Sequence, residues 1–191
     1  MEESFNLPHY LKLPQGFLKF YTLMHKIEIH SIAEIGVFFG RSALLFRLFF
    51  PKAKLFLIDP WELSEKYLAT GNPPSLCPEV FAEGFRTVTQ LFAHDPDVQI
   101  LRRTSKEAAK IIPDDLDLVF IDGDHSYESV KEDIDLWSKK VRPGKILSGH
   151  DYDEAKFPQV VKAVNESIPN LRIGPYSTWF TLNKEASSIL N

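Results

Sequence analysis

Short apolar runs alternate along the chain with stretches of helical periodicity. Runs at residues 32–35, 55–58, 98–101 and 116–121 have the length and composition of buried strands. After the first, Leu44, Leu45, Leu48 and Phe49 recur at helical spacing. A helix over about residues 79–93 follows the second run, and Thr104-Ser105-Lys106-Glu107 opens another as a capping signal after the third. After the fourth, residues 127–139 read as a helix with Val130, Ile134 and Trp137 inward. Upstream, Phe17, Phe20, Tyr21, Met24 and Ile27 predict an amphipathic helix whose face packs on the core or makes a homodimer contact. Downstream, residues 158–168 read as helix, and 171–173 and 178–182 as strands. Strand alternating with helix implies one α/β domain over 1–191, doubly wound around a mostly parallel sheet with helices on both faces. Residues 1–14, with prolines at 8 and 14, read as an arm.

The stretch 32–60 is strand, glycine turn, helix, strand and acid. Gly36 and Gly40 form a Gly-x-x-x-Gly turn, Ser42 is placed to cap the helix, and Asp59 lies 23 positions after Gly36. Such a unit binds a nucleoside. Glycines let backbone approach the ligand, a helix N-terminus favours a carboxylate or phosphate, and the acid accepts from ribose hydroxyls.

Glu34-x-Gly36-x-x-x-Gly40-x-Ser42 resembles the class I S-adenosylmethionine-dependent methyltransferases, most closely the catechol-type and macrolide-type small-molecule O-methyltransferases. The resemblance covers about residues 17–183. It implies a Rossmann-like, seven-stranded sheet with one antiparallel strand near the C-terminus, and S-adenosylmethionine as cofactor. It places Glu34, Gly36, Gly40, Ser42, Asp59, Ser105 and Asp122 around that cofactor. The stretch from Val141 through Leu147 resembles the turn into the family's fifth strand, with Gly144 at the helix exit.

The formal charge of −4 argues against a nucleic-acid-binding face. Lys139, Lys140, Arg142 and Lys145 are expected to be solvated charge near a helix C-terminus. The single cysteine, Cys77, excludes an intrachain disulfide and fits a reducing, cytoplasmic setting. No apolar stretch is long enough to span a membrane: residues 43–50 are broken by Arg47. Residues 61–78 form a proline-containing insertion after Asp59, where a lid over the substrate or a plain surface loop is expected.

Two polar clusters stand at strand ends. Asp122, Asp124, His125 and Tyr127 follow the fourth strand; His150, Asp151 and Tyr152 follow the fifth. In a parallel sheet both emerge on one edge, beside Asp59. Two chemistries fit. In one, Asp122, His150 and Asp151 hold a divalent cation, the positions where catechol-type relatives carry an acid and an acid–amide pair. A histidine in that set favours manganese or iron over magnesium. In the other, His125 or His150 is the base that deprotonates an acceptor hydroxyl, with Asp122 beside it. The sequence therefore reads as a methyltransferase acting on a hydroxyl of a small molecule. The rival readings are a non-catalytic cofactor-binding module of the same fold and a nucleotide-dependent oxidoreductase.

Overall fold

The computed structural model describes Leu11, residues 13–62 and residues 77–183. The lid expectation falls mostly on residues 63–76, outside the described residues, as does most of the expected arm. In chain order the elements are α1 (Pro14–Met24), β1 (Ser31–Ile35), α2 (Arg41–Phe49), β2 (Lys54–Asp59), α3 (Pro78–Leu91) and β3 (Val98–Arg102). Then come α4 (Ser105–Ala109), β4 (Leu116–Ile121), α5 (Tyr127–Trp137), β5 (Val141–Gly149), α6 (Pro158–Ser167), β6 (Arg172–Ile173) and β7 (Trp179–Leu182).

The seven strands form one sheet in the order β3-β2-β1-β4-β5-β7-β6. β1 to β5 run parallel and β7 runs antiparallel to both β5 and β6. The doubly wound expectation holds, including the antiparallel strand near the C-terminus. Strand order reverses between β1 and β4, and in such a sheet ligands bind outside the carboxyl ends at that switch.

Alternating side chains feed two cores. Ala33, Ile35, Ile58, Val119 and Ile121 pack with Val130, Ile134 and Trp137 of α5 and Val164 of α6. On the other face Ile32, Leu55, Leu57, Leu118 and Phe120 pack with Leu18 of α1, Phe46 of α2 and Val88 of α3. Burial of these side chains contributes roughly 1.5–3 kcal/mol each, more than local propensity gives such short elements.

This packing sets the helix faces and corrects two expectations, the solvated basic cluster and the helix exit at Gly144. In α2 the buried residues are Ala43 and Phe46, while Leu44 and Leu48 are exposed. In α1 Leu18 is buried, whereas Phe20 and Met24 are exposed. The lysine and arginine cluster is not simply solvated. Lys140 is buried and donates to the Ile112 carbonyl and Asp114, while Arg142 and Lys145 pair with the buried Asp117 of β4. Gly144 lies within β5, not at a helix exit, with φ +75°. None of the described helices is long and apolar enough to cross a membrane.

Candidate active site

The turn after β1 is fixed from three directions. Gly36 has φ +87°, and a Cβ there would sit 2.1 Å from the Asp122 carbonyl oxygen. Its freedom from a side chain therefore serves the close passage of the β4 exit loop. Asp59, at the end of β2, accepts from the backbone N–H groups of Val37 (3.0 Å) and Phe38 (2.9 Å) through Oδ2, and from Trp61 (2.6 Å) through Oδ1. The Trp61 indole donates to the Phe38 carbonyl at 2.7 Å. Asp59 is thus a latch for the turn, and it lines the cleft beside it. Burial raises its pKa despite those three bonds.

Gly40, with φ +79°, is the N-cap of α2 in place of the expected Ser42. Ser42 lies in the first turn and donates to Glu34 of β1. Glu34 is 1% exposed, and its Oε2 has no partner among the described residues. Burial, with Asp122 and Asp59 nearby, pushes its pKa up to about 8 against the Ser42 bond, so at neutral pH it holds a proton.

Thr104 caps α4 in a complete capping box with Glu107. Capping therefore does not engage Ser105, which donates instead to Asp133 of α5 and accepts from the Trp137 indole at 2.8 Å.

On the far side, Asp122 follows β4 and His150 and Asp151 follow β5. His150 Nδ1 lies 3.0 Å from Asp151 Oδ1 and 3.6 Å from Asp122 Oδ1. His125 Nε2 pairs with Asp151 Oδ2 at 2.7 Å. Burial pulls the His150 pKa down, but bonds to Asp122 and Asp151 outweigh it and raise it to about 10. His125 follows the same logic in the same direction, while burial of Asp151 is outweighed by the two imidazoles, which hold it well below the carboxylate range. Asp151 has φ +58°, a left-handed conformation that aspartate tolerates better than most residues.

These groups share a cleft of about 960 Å³ at the carboxyl edge of the sheet. Gly36, Ser42, Asp59, Ser105, Asp122, His125, His150 and Asp151 line it. Of the residues expected around a cofactor, Glu34 and Gly40 do not; Glu34 reaches the cleft only through Ser42. The set able to offer converging ligand atoms to a cation is Asp122, His125 and Asp151, with one atom of each within 4.8 Å of the others. This set shares Asp122 and Asp151 with the expected one, whose third member, His150, lies against the same two carboxylates.

Sequence reasoning missed Asp133, a wall residue only 7% exposed. Its signal was present: Val130, Asp133, Ile134 and Trp137 fall at i, i+3, i+4 and i+7, which puts an acid on the buried stripe of α5.

A parallel sheet with a ligand cleft at its switch point, a glycine turn and an acid at the end of β2 defines a nucleoside-cofactor domain of the Rossmann-like class. A methyltransferase domain family matches residues 33–152, and the chain belongs to it. It is 31% identical over 156 residues, 78% of its length, to the uncharacterized protein R132 of Acanthamoeba polyphaga mimivirus, of which the match spans 64%. Among solved structures it resembles CalS11, a calicheamicin methyltransferase (TM-score 0.62, 15% identity, 90% of this chain and 77% of that one). It also resembles the N-methyltransferase NodS from Bradyrhizobium japonicum (TM-score 0.55, 12% identity, 88% and 94%).

Proposed function

We propose that this chain is an S-adenosylmethionine-dependent methyltransferase that acts on a hydroxyl of a small molecule. The observation that carries the reading is one cleft holding a nucleoside cradle, Gly36 and Asp59, beside a cluster of acids and imidazoles, Asp122, His125, His150 and Asp151. Family membership supports the reaction class. CalS11, described as a TDP-rhamnose 3'-O-methyltransferase, supports a hydroxyl acceptor.

A sulfonium methyl is already a good electrophile, so the chain has mainly to hold donor and acceptor in line, an effect worth roughly 7–11 kcal/mol. Asp59 holds the β1 turn against the cofactor and accepts from the ribose. Ser42 presents a hydroxyl to the cofactor's amino-acid end. His150, protonated near neutral pH beside two carboxylates, is a donor and a fixed charge there, not a base.

The converging ligand atoms of Asp122, His125 and Asp151, all within 4.8 Å of one another, fit a cation held by these three side chains. When bound, a divalent cation would gather acceptor hydroxyls and make one easier to ionise. The mixed oxygen and imidazole set suits manganese or iron as well as magnesium.

Titration calorimetry should show S-adenosylhomocysteine binding, weakened by about 1.5–3 kcal/mol in Asp59→Ala. Methyl transfer to polyhydroxylated acceptors should be lost on chelation and restored by added cation. No binding overturns the reading. Binding without turnover on any hydroxyl acceptor would leave a cofactor-binding module.

A further inference from the structure

The helical layer that carries α1 and α2 keeps an exposed apolar face. On α1, Phe20, Leu23 and Met24 are exposed, and their i, i+3, i+4 spacing puts them on one side. On α2, Leu44 and Leu48 are exposed one turn apart. Leu23, Met24 and Leu48 protrude furthest, at 63%, 65% and 68% exposed. The two helices are neighbours: Leu18 and Phe46 share one core, and Lys19 of α1 lies over the Phe50 ring at 4.9 Å. Single exposed leucines are ordinary, but large apolar side chains gathered on adjacent helices mark a contact surface.

The charge around this face has one sign. Residues 11–27 and 35–58 hold no Asp or Glu, in a chain whose net charge is −4. Lys26, Arg41 and Lys52 are exposed and Lys19 is half-buried, and none of the four is ion-paired among the described residues. Arg47 is spoken for by Asp95 and by the Pro51 and Ala53 carbonyls. On the opposite layer, by contrast, Lys106 pairs with Glu132 and Lys131 with Glu166. An apolar face rimmed by unanswered cations is complementary to a surface that is apolar inside and anionic at its boundary.

We propose that the α1–α2 face docks on an anionic lipid bilayer. Leu23, Met24 and Leu48 enter the headgroup boundary, with Phe20 and Leu44 beside them, while the four cations meet lipid phosphates. Such a face lies on the membrane and does not cross it, in keeping with the described helices, none of which is long and apolar enough to span. A second copy of the chain fits the face less well, because a two-fold contact sets each basic rim against its own kind. A protein partner also fits less well, since lysine is depleted at protein interfaces. Both helices begin at residues that line the cleft, Pro14 and Arg41, so the docked face ends at the cleft mouth. Docking does not depend on what the cleft binds.

The test is co-sedimentation of the full chain with vesicles of phosphatidylcholine alone and of phosphatidylcholine with about one third phosphatidylglycerol. Wild type should bind the anionic vesicles at least about tenfold more strongly, and raised salt should remove most of that difference. Leu23→Asp combined with Leu48→Asp should abolish binding. Lys26→Glu combined with Lys52→Glu, at positions the core does not use, should remove the preference for anionic vesicles. Ile111→Asp, at an exposed apolar residue outside this face, should bind like wild type. Wild type that stays in the supernatant with both vesicles overturns the proposal, as does unchanged binding in the lysine pair or the leucine pair. Failure to bind vesicles together with a dimer that the leucine pair dissolves overturns it too, and assigns the face to a second copy.

Discussion

The two ends of β4 carry buried acids with opposite fates. At the amino end Asp117 is fully buried, and burial alone would raise its pKa. It nonetheless lies below the ordinary range, because it accepts from the His30 and Ser31 N–H groups (2.7 and 3.2 Å) and faces Lys145 and Arg142. Every charge it carries is answered within the chain. Beside the carboxyl end, Glu34 of β1 and Asp133 of α5 are buried and rise to about 8 and about 7, and Glu34 Oε2 has no partner among the described residues. Burial opposes the charged form of all three acids, less strongly at Asp117; what further separates them is whether the protein supplies compensating donors and cations. A completed network ties β1, β4 and β5 together. An incomplete one is a place prepared for something else.

The contrast breaks first at Asp117. Replacing it with alanine strands two buried backbone donors and two cations, and should cost about 3–5 kcal/mol of stability, read as a lower urea midpoint. If Asp117→Ala unfolds like wild type, the amino end is no better built than the site.

Glu34 should behave in the opposite sense. Its folded pKa of about 8 lies above the unfolded value of 4.5, so between these the native state binds more protons than the unfolded chain. Stability from this group is full below the unfolded pKa and lost as pH rises through about 8. Glu34→Gln should match wild type near pH 4 and exceed it above pH 8 by on the order of a few kcal/mol. Urea midpoints at both pH values check this, and a parallel pH course for the two proteins would remove the claim that Glu34 is strained.

Much of this was legible before any coordinates. The β1 glycine turn, Asp59 and the five parallel strands follow from apolar runs and glycine spacing, because short-range patterns set both. The exact helix faces did not follow. Leu44 and Leu48 share a stripe by period, but the sheet lies under Ala43 and Phe46, which only tertiary packing decides. Gly36 is legible as a turn glycine, but nothing local says that a Cβ there would strike the β4 exit loop, 86 residues away in sequence. Asp117 and the cations around it were opaque, since nothing local says that Arg142 and Lys145 return to β4. Asp133 was readable as an acid on a buried stripe, yet its partner Ser105 belongs to another helix.

The finest distinction between the ends is a proton count on ligand binding. Free Asp133 titrates near pH 7, raised by burial and by the neighbouring charges of Glu132 and Asp124 against the Ser105 bond. Lys106, the nearest lysine on the facing helix α4, is already paired with Glu132 at 2.6 Å. An N–H donor of a ligand in the cleft, arriving at Asp133, favours the carboxylate, so its pKa falls on binding and a proton leaves. Affinity for S-adenosylhomocysteine should therefore rise with pH through about 7 and then level, by about tenfold at most between pH 6 and 8. Calorimetry in two buffers of different ionisation enthalpy should detect a fraction of a proton released near pH 7 in wild type and less in Asp133→Asn. Proton uptake in place of release would mean that the carboxyl donates to the ligand, and the two ends of β4 would then differ in the number of bonds completed but not in which way the open acid faces its partner.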